Sequence, residues 1–269
     1  MSLVVVVVYP ELLGTYGDGG NGVVLWRRAR WRGIRSELLM ASSDQPLPDG
    51  DVYCLGGGED GPQVQAAAAL RSDGRLQGAA DEGAVVLAVC AGYQIIGTSF
   101  PGADGEQHPG VGLLDVATVK GQGPRAVGEV LAEPFDPGLP FLTGFENHSG
   151  VTTVGPGASP LAAVQVGSGN GVGPGHLTEG AVSGRVMGTY LHGPVLARNP
   201  ALADLLLDWG LKGAAERRGQ ELPTPLAVLD DAEEEALRAE RLASGSPGRR
   251  RSRRRHRTAP AGDDLRGVP

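Results

Sequence analysis

Only two cysteines occur in the 269 residues, and that scarcity excludes a good deal. Cys54 and Cys90 cannot build a disulfide framework, and their spacing does not suit a structural zinc site. A reducing cytoplasm is the expected compartment. Aromatic residues make up just 4% of the chain, too few for extended stacking platforms. The opening MSLVVVVVYP carries no basic segment of a targeting signal, and its apolar run from Leu3 to Val8 is far shorter than the roughly 20 residues a membrane-spanning helix needs. Internal repeats are missing. A formal net charge of −7 argues against a general affinity for nucleic acid.

What is present points to a backbone-lined site in an ordinary core. Glycine (44) and proline (20) are abundant, which favours tight turns, and 41% hydrophobic content can bury one sizeable core. The valine run reads as a parallel strand buried on both faces. A glycine-rich loop, YPELLGTYGDGGN, leads into a predicted helix, VVLWRRARWRG, with Asn21 as its cap and Gly33 at its left-handed end. Strands are expected over Ser36–Met40, Val52–Leu55 and Val85–Val89, with a helix over Pro62–Leu70 before the last. This alternation predicts an α/β fold, a mostly parallel sheet with helices on both faces. From about residue 110, LLDVATVK, AVGEVL and LAAVQV read as antiparallel additions to that sheet. RVMGTY is then a core strand, and Asn199-Pro200 caps and starts a last long helix. The expected division is one domain over 1–229, a charged helix or linker over 230–243, and a disordered tail over 244–269 that carries the arginine cluster Arg249–Arg257.

In such sheets ligands sit beyond the carboxyl ends of the strands, where both Gly56–Gly58 and Cys90 fall. Cys90 lies in VVLAVCAGYQIIG, at a strand-to-helix junction with small residues, Ala88 and Gly92, two positions either side. That is the pattern of a sharp nucleophile elbow, with the amide of Ala91 aimed where an oxyanion would form. The alternative, a small core residue at a strand end, describes Cys54 better, because no helix follows it. A thiol nucleophile needs a base. Among the five histidines, His256 is in the tail, His108 and His176 fall in loop-like stretches, and His148 reads as a loop hydrogen-bonder. His192 alone follows directly on a predicted core strand.

Three segments, CLGGGEDGPQ, AVCAGYQIIG and GTYLHGP, together resemble the class I glutamine amidotransferases, of flavodoxin-like architecture, over roughly Leu3 to Leu211. The resemblance implies that Cys90 and His192 are catalytic, that Gly57 and Ala91 supply the oxyanion amides, and that Gln94 and Arg125 bind glutamine. The Leu-His-Gly-Pro run is closest in type to the cobyric acid synthase branch. The opening Tyr9–Ile34 and FENHSG are similar to GatD, the family of glutaminase subunits of lipid II isoglutaminyl synthases. Membership implies a heterodimer with a MurT-like, Mur-ligase-type partner that binds ATP, Mg and lipid II, while this chain hydrolyses L-glutamine and carries no cofactor. GGGEDGP also lacks the Gly-Lys-Ser/Thr ending of a phosphate-binding loop.

One departure stands out. Many relatives place a glutamate two residues after the histidine, where this chain has Pro194. Glu179 is the only acid in the twenty positions before His192. The expectation is therefore that an acid of the partner subunit completes the site. Two other readings compete, a glutaminase serving cobyrinic or cobyric acid amidation and a non-catalytic protein with a reactive cysteine. The combination of Gly56–Gly58, Gln94, Arg125 and His192 speaks against the second.

Overall fold

Five consecutive valines can be buried only if both faces of their strand are covered, and the computed structural model, which describes residues 2–171 and 177–245, does this. The first half of the chain runs β1 (Ser2–Val8), α1 (Gly20–Trp31), β2 (Arg35–Ala41), β3 (Val52–Leu55), α2 (Asp60–Asp73), α3 (Arg75–Asp81), β4 (Val85–Val89) and α4 (Ala91–Ile96). Short strands follow: β5 (Ser99–Pro101), β6 (Gln107–Pro109), β7 (Val116–Lys120), β8 (Ala126–Pro134), β9 (Leu142–His148), β10 (Gly150–Val154) and β11 (Ala162–Val166). The chain continues through β12 (Thr178–Glu179), β13 (Ala181–Ser183), β14 (Val186–Thr189), α5 (Val195–Arg198), α6 (Pro200–Arg218) and α7 (Ala232–Gly245).

The main sheet has the order β13-β14-β4-β3-β1-β2, and every pair in it is parallel except β13 with β14. This is the doubly wound order of flavodoxin-like folds. The crossover from β1 to β2 moves one way along the sheet and that from β3 to β4 the other. Right-handed crossovers therefore put α1 and α2 on opposite faces. α6 packs beside α1, and Gly210 lets it approach Val52 and Leu3 closely.

Of the antiparallel segments, only β13 joins this sheet. LLDVATVK, AVGEVL and LAAVQV instead build two separate four-stranded sheets, β10-β7-β5-β6 and β12-β11-β8-β9. The main sheet closes on one side with β13, so the remaining strands pair among themselves. Two predicted caps also differ. Asn21 lies inside α1 and accepts a hydrogen bond from the amide of Leu196 at 3.0 Å, while Asn199 sits at the start of α6 but pairs with both main-chain groups of Thr143. Both side chains are buried, and each satisfies a distant chain segment rather than its own helix. Gly33 is left-handed as expected (φ 71°). His108 is in β6 rather than a loop.

The charged stretch from 230 forms α7 and is docked: Arg28 of α1, itself buried, pairs with Asp204 and with Asp231 just before α7. Ser244 and Gly245, the first two residues of the expected disordered tail, close α7; the rest of the tail lies outside the described residues, and so do His176 and His256.

Candidate active site

The carboxyl ends of β1, β3, β4 and β14 meet along one edge, and each delivers one part of a site. β4 ends at Cys90, whose backbone sits at φ 52°, ψ −104°, strained for a residue with a side chain. The turn is held by the Cys90 amide donating to the Thr189 carbonyl at 2.8 Å and by the Gln94 amide donating to the Cys90 carbonyl at 3.0 Å. Gly92 is required here. A Cβ on it would lie 2.8 Å from the Leu55 Cβ and 3.0 Å from the Gly56 carbonyl oxygen. Gly92→Ala should therefore push the elbow off β3 and destabilise the fold by about 1–3 kcal/mol, measured by denaturant unfolding. An unchanged midpoint would contradict this packing.

Beyond β14, His192 is fixed by reciprocal main-chain bonds to Phe145 of β9. Its Nδ1–H donates to Oδ2 of Asp18 at 2.7 Å, and both side chains are buried. That bond sets the tautomer of the neutral ring and turns Nε2 away from the acid. Nε2 has no hydrogen-bond partner among the described residues. Burial pulls the pKa of His192 down, but the bond to Asp18 and the interaction with Cys90 outweigh it and raise it to about 10. The ring is thus bonded to Asp18 at Nδ1, and the neighbouring Cys90 adds to the rise in its pKa.

Asp18 replaces the acid expected from a partner subunit. It sits in the loop between β1 and α1, 174 residues before His192, and Oδ2 also accepts the Gly57 amide at 3.0 Å. A sulfur, an imidazole and a carboxylate therefore line up within one chain. Nothing in the sequence around His192 marks this acid, which is remote along the chain. The available signal was an aspartate among glycines, in the loop leaving the strand end beside β3.

Gly57 also departs from expectation. Its amide is committed to Asp18, and a Cβ on it would lie 2.7 Å from the His192 ring. The next residue, Gly58, lines the Cys90 cavity together with Ala91. Ala91 is the first residue of α4, so its amide has no partner within the helix. Gly58 and Ala91, rather than Gly57, are thus the backbone neighbours of Cys90 in the cavity lining.

The cavity also takes in Gln94, Arg125, Lys120 and Asp60. A carboxylate and cationic side chains in one cavity complement the ammonium and the carboxylate of a free amino acid. Gln94 is buried, accepting from Gln63 Nε2 at 2.9 Å and donating to the Tyr190 hydroxyl at 3.3 Å. Arg125 is exposed on the loop before β8 and anchored to Asn147. His148 is structural: it bonds to the Gly150 carbonyl at 3.0 Å and stacks on Tyr190 with 3.8 Å between ring centroids. Cys54 is buried, and burial pushes its thiol up to about 12.

Residues 4–200 match the CobB/CobQ-like glutamine amidotransferase domain. The chain belongs to this family. Its relatives include the lipid II isoglutaminyl synthase (glutamine-hydrolyzing) subunit GatD of Streptococcus pneumoniae, 31% identical over 223 residues, spanning 81% of this chain and 83% of that one. The subunit of the same name from Staphylococcus aureus is 32% identical over 212 residues, spanning 78% and 83%. A solved glutamine amidotransferase shares the fold with a TM-score of 0.53 at 19% identity, covering 76% of this amidotransferase and 98% of the other.

Glu179 serves this amidotransferase differently. It is fully buried at the end of β12, accepts from the Tyr190 amide at 2.8 Å and from Thr189 Oγ1, and its Oε2 has no partner among the described residues. Burial raises its pKa from 4.5 to about 7. The folded state thus holds a proton that the unfolded chain releases between about pH 4.5 and 7, so stability falls as pH rises through that window. Glu179→Gln should flatten that part of the profile, seen by urea unfolding at both ends of the window. An undiminished slope in the variant would overturn the assignment.

Proposed function

We infer that this chain is the glutaminase subunit of a lipid II isoglutaminyl synthase. The observation that carries the reading is the Cys90–His192–Asp18 line on the strand-end edge, in a chain related to GatD subunits over about four-fifths of its length. Cys90 Sγ attacks the side-chain amide carbon of L-glutamine after its proton has passed to His192, whose raised pKa favours the imidazolium. The Gly58 and Ala91 amides stabilise the oxyanion. His192 then returns the proton to the departing nitrogen, and ammonia leaves with a glutamyl thioester behind. Water, deprotonated by the same imidazole, attacks the thioester and releases L-glutamate. Asp18 holds the ring in the tautomer that receives the proton and stabilises its cation. Arg125 takes the α-carboxylate, for which a guanidinium fork is suited.

The ammonia passes to a MurT-like, ATP-dependent partner that converts the α-carboxylate of D-glutamate in lipid II to an amide. ATP and Mg belong to that partner, in keeping with a Gly56–Pro62 loop without a phosphate-binding ending. A cytoplasmic heterodimer fits these roles and the two free cysteines. Lipid II is met through the partner, and among the described residues of this chain no helix is long and apolar enough to cross a membrane. The test uses the purified chain with and without a MurT-like subunit, with glutamine as the sole nitrogen source. Glutamate release by the chain, and ATP-dependent amidation of lipid II only when both subunits are present, are expected. Amidation at full rate without this chain would refute the assignment.

A further inference from the structure

Arg125 stands on an exposed loop, yet its guanidinium is not left to solvent. Its Nε–H donates to Oδ1 of Asn147, and Nη2 donates to the main-chain carbonyl of the same residue at 2.9 Å. Asn147 is itself held by the β8–β9 ladder, where it faces Val127, two residues beyond Arg125. Its side-chain amide can take only one orientation, because the oxygen must meet the arginine. The nitrogen then donates to the hydroxyl of Tyr16. Tyr16 lies two residues before Asp18, holds a left-handed backbone (φ 59°), and sets its ring 4.7 Å from that of His192. Asn147 also lines the Cys90 cavity.

We propose that Asn147 is a positioning residue that aims Arg125 at the substrate carboxylate, as the middle link of an Arg125–Asn147–Tyr16 strap across the mouth of the site. The inference rests on the reading of Arg125 as the carboxylate-binding group. A free arginine side chain loses rotamer freedom when it grips a ligand. Two bonds to one residue remove that freedom in advance, so less of the binding energy is spent on ordering. Two of the five guanidinium N–H groups are used in this way, leaving three for the substrate. The far end of the strap rests on the histidine, so the amino-acid end of the substrate and the catalytic ring are set relative to each other by one chain of contacts.

The test compares kcat/KM for L-glutamine with that for 4-aminobutanamide, which has the same amide and ammonium groups but no carboxylate. Asn147→Ala should lower the preference for glutamine by about tenfold, through KM. Tyr16→Phe should lower it by a smaller factor. The double variant Arg125→Ala/Asn147→Ala should show the preference of Arg125→Ala alone, because Asn147 acts only through that arginine. A purely structural role would reduce both substrates together and leave the preference unmoved. An unchanged preference in Asn147→Ala or in Tyr16→Phe, or full additivity in the double variant, overturns the strap. If Arg125→Ala itself keeps the wild-type preference, the carboxylate reading fails first.

Discussion

Cys90→Ala is expected to give a folded protein that no longer hydrolyses glutamine, a loss of roughly 10⁶-fold, the scale seen when a nucleophile is removed. The variant isolates the chemistry because alanine adds no strain. Cysteine and alanine both carry a Cβ, so the φ of 52° costs each about the same. The side chain is nearly buried but small, and its loss removes little packing. Steady-state glutamate release measures the effect. A complementary measurement is acid quenching of the wild-type protein during turnover, which should trap a glutamyl adduct by mass. The adduct should be absent from the alanine variant. A variant that still turns over glutamine would mean that the elbow is structural.

Asp18→Asn is expected to lower kcat by about 10⁴, the scale of removing the carboxylate from such a relay. The asparagine amide would present an N–H to Nδ1, and the ring would answer by moving its proton to Nε2. The nitrogen facing Cys90 would then be a donor, unable to take the thiol proton. Gly57 would compete for the one remaining oxygen. A pH signature accompanies the loss. The bond to Asp18 is the largest of the influences that raise the pKa of His192 to about 10, so the variant's value moves back toward 6.5. The alkaline limb of residual activity should shift to lower pH. The stability contributed by the charged imidazole has the same origin. It is complete below about pH 6.5, is lost as pH rises toward 10, and should shrink in the variant. Adding the partner subunit should not restore the rate, because the Nδ1 side of the ring is enclosed by this chain's own loop. Recovery on complex formation would show that an acid from the partner serves the site after all.

Local sequence was sufficient for the parts of this protein that depend on near neighbours. Val52–Leu55 and Val85–Val89 are strands within the expected bounds because unbroken apolar runs suit a sheet buried on both faces. Cys90 is an elbow because Ala88 and Gly92 flank it, and the small size of Gly92 can be read directly from the chain. The strand-end rule also put Cys90, the glycine loop and His192 on one edge without any coordinates. Only the tertiary structure could join Asp18 to His192, since no periodicity spans 174 residues and a loop carries no pattern of its own. The same limit explains Gly57 and Gly58. Which of the two adjacent amides is taken up by a side chain depends on where Asp18 arrives from β1. Asn21 and Asn199 have the residue type of a helix cap, but burial opposite Leu196 and Thr143 gave their side chains stronger obligations. Whether a short strand joins the main sheet or forms another was likewise decided by which edge was free. Each of these outcomes turns on long-range hydrogen bonding, which the folded chain settles by satisfying its buried polar groups and which local sequence does not encode.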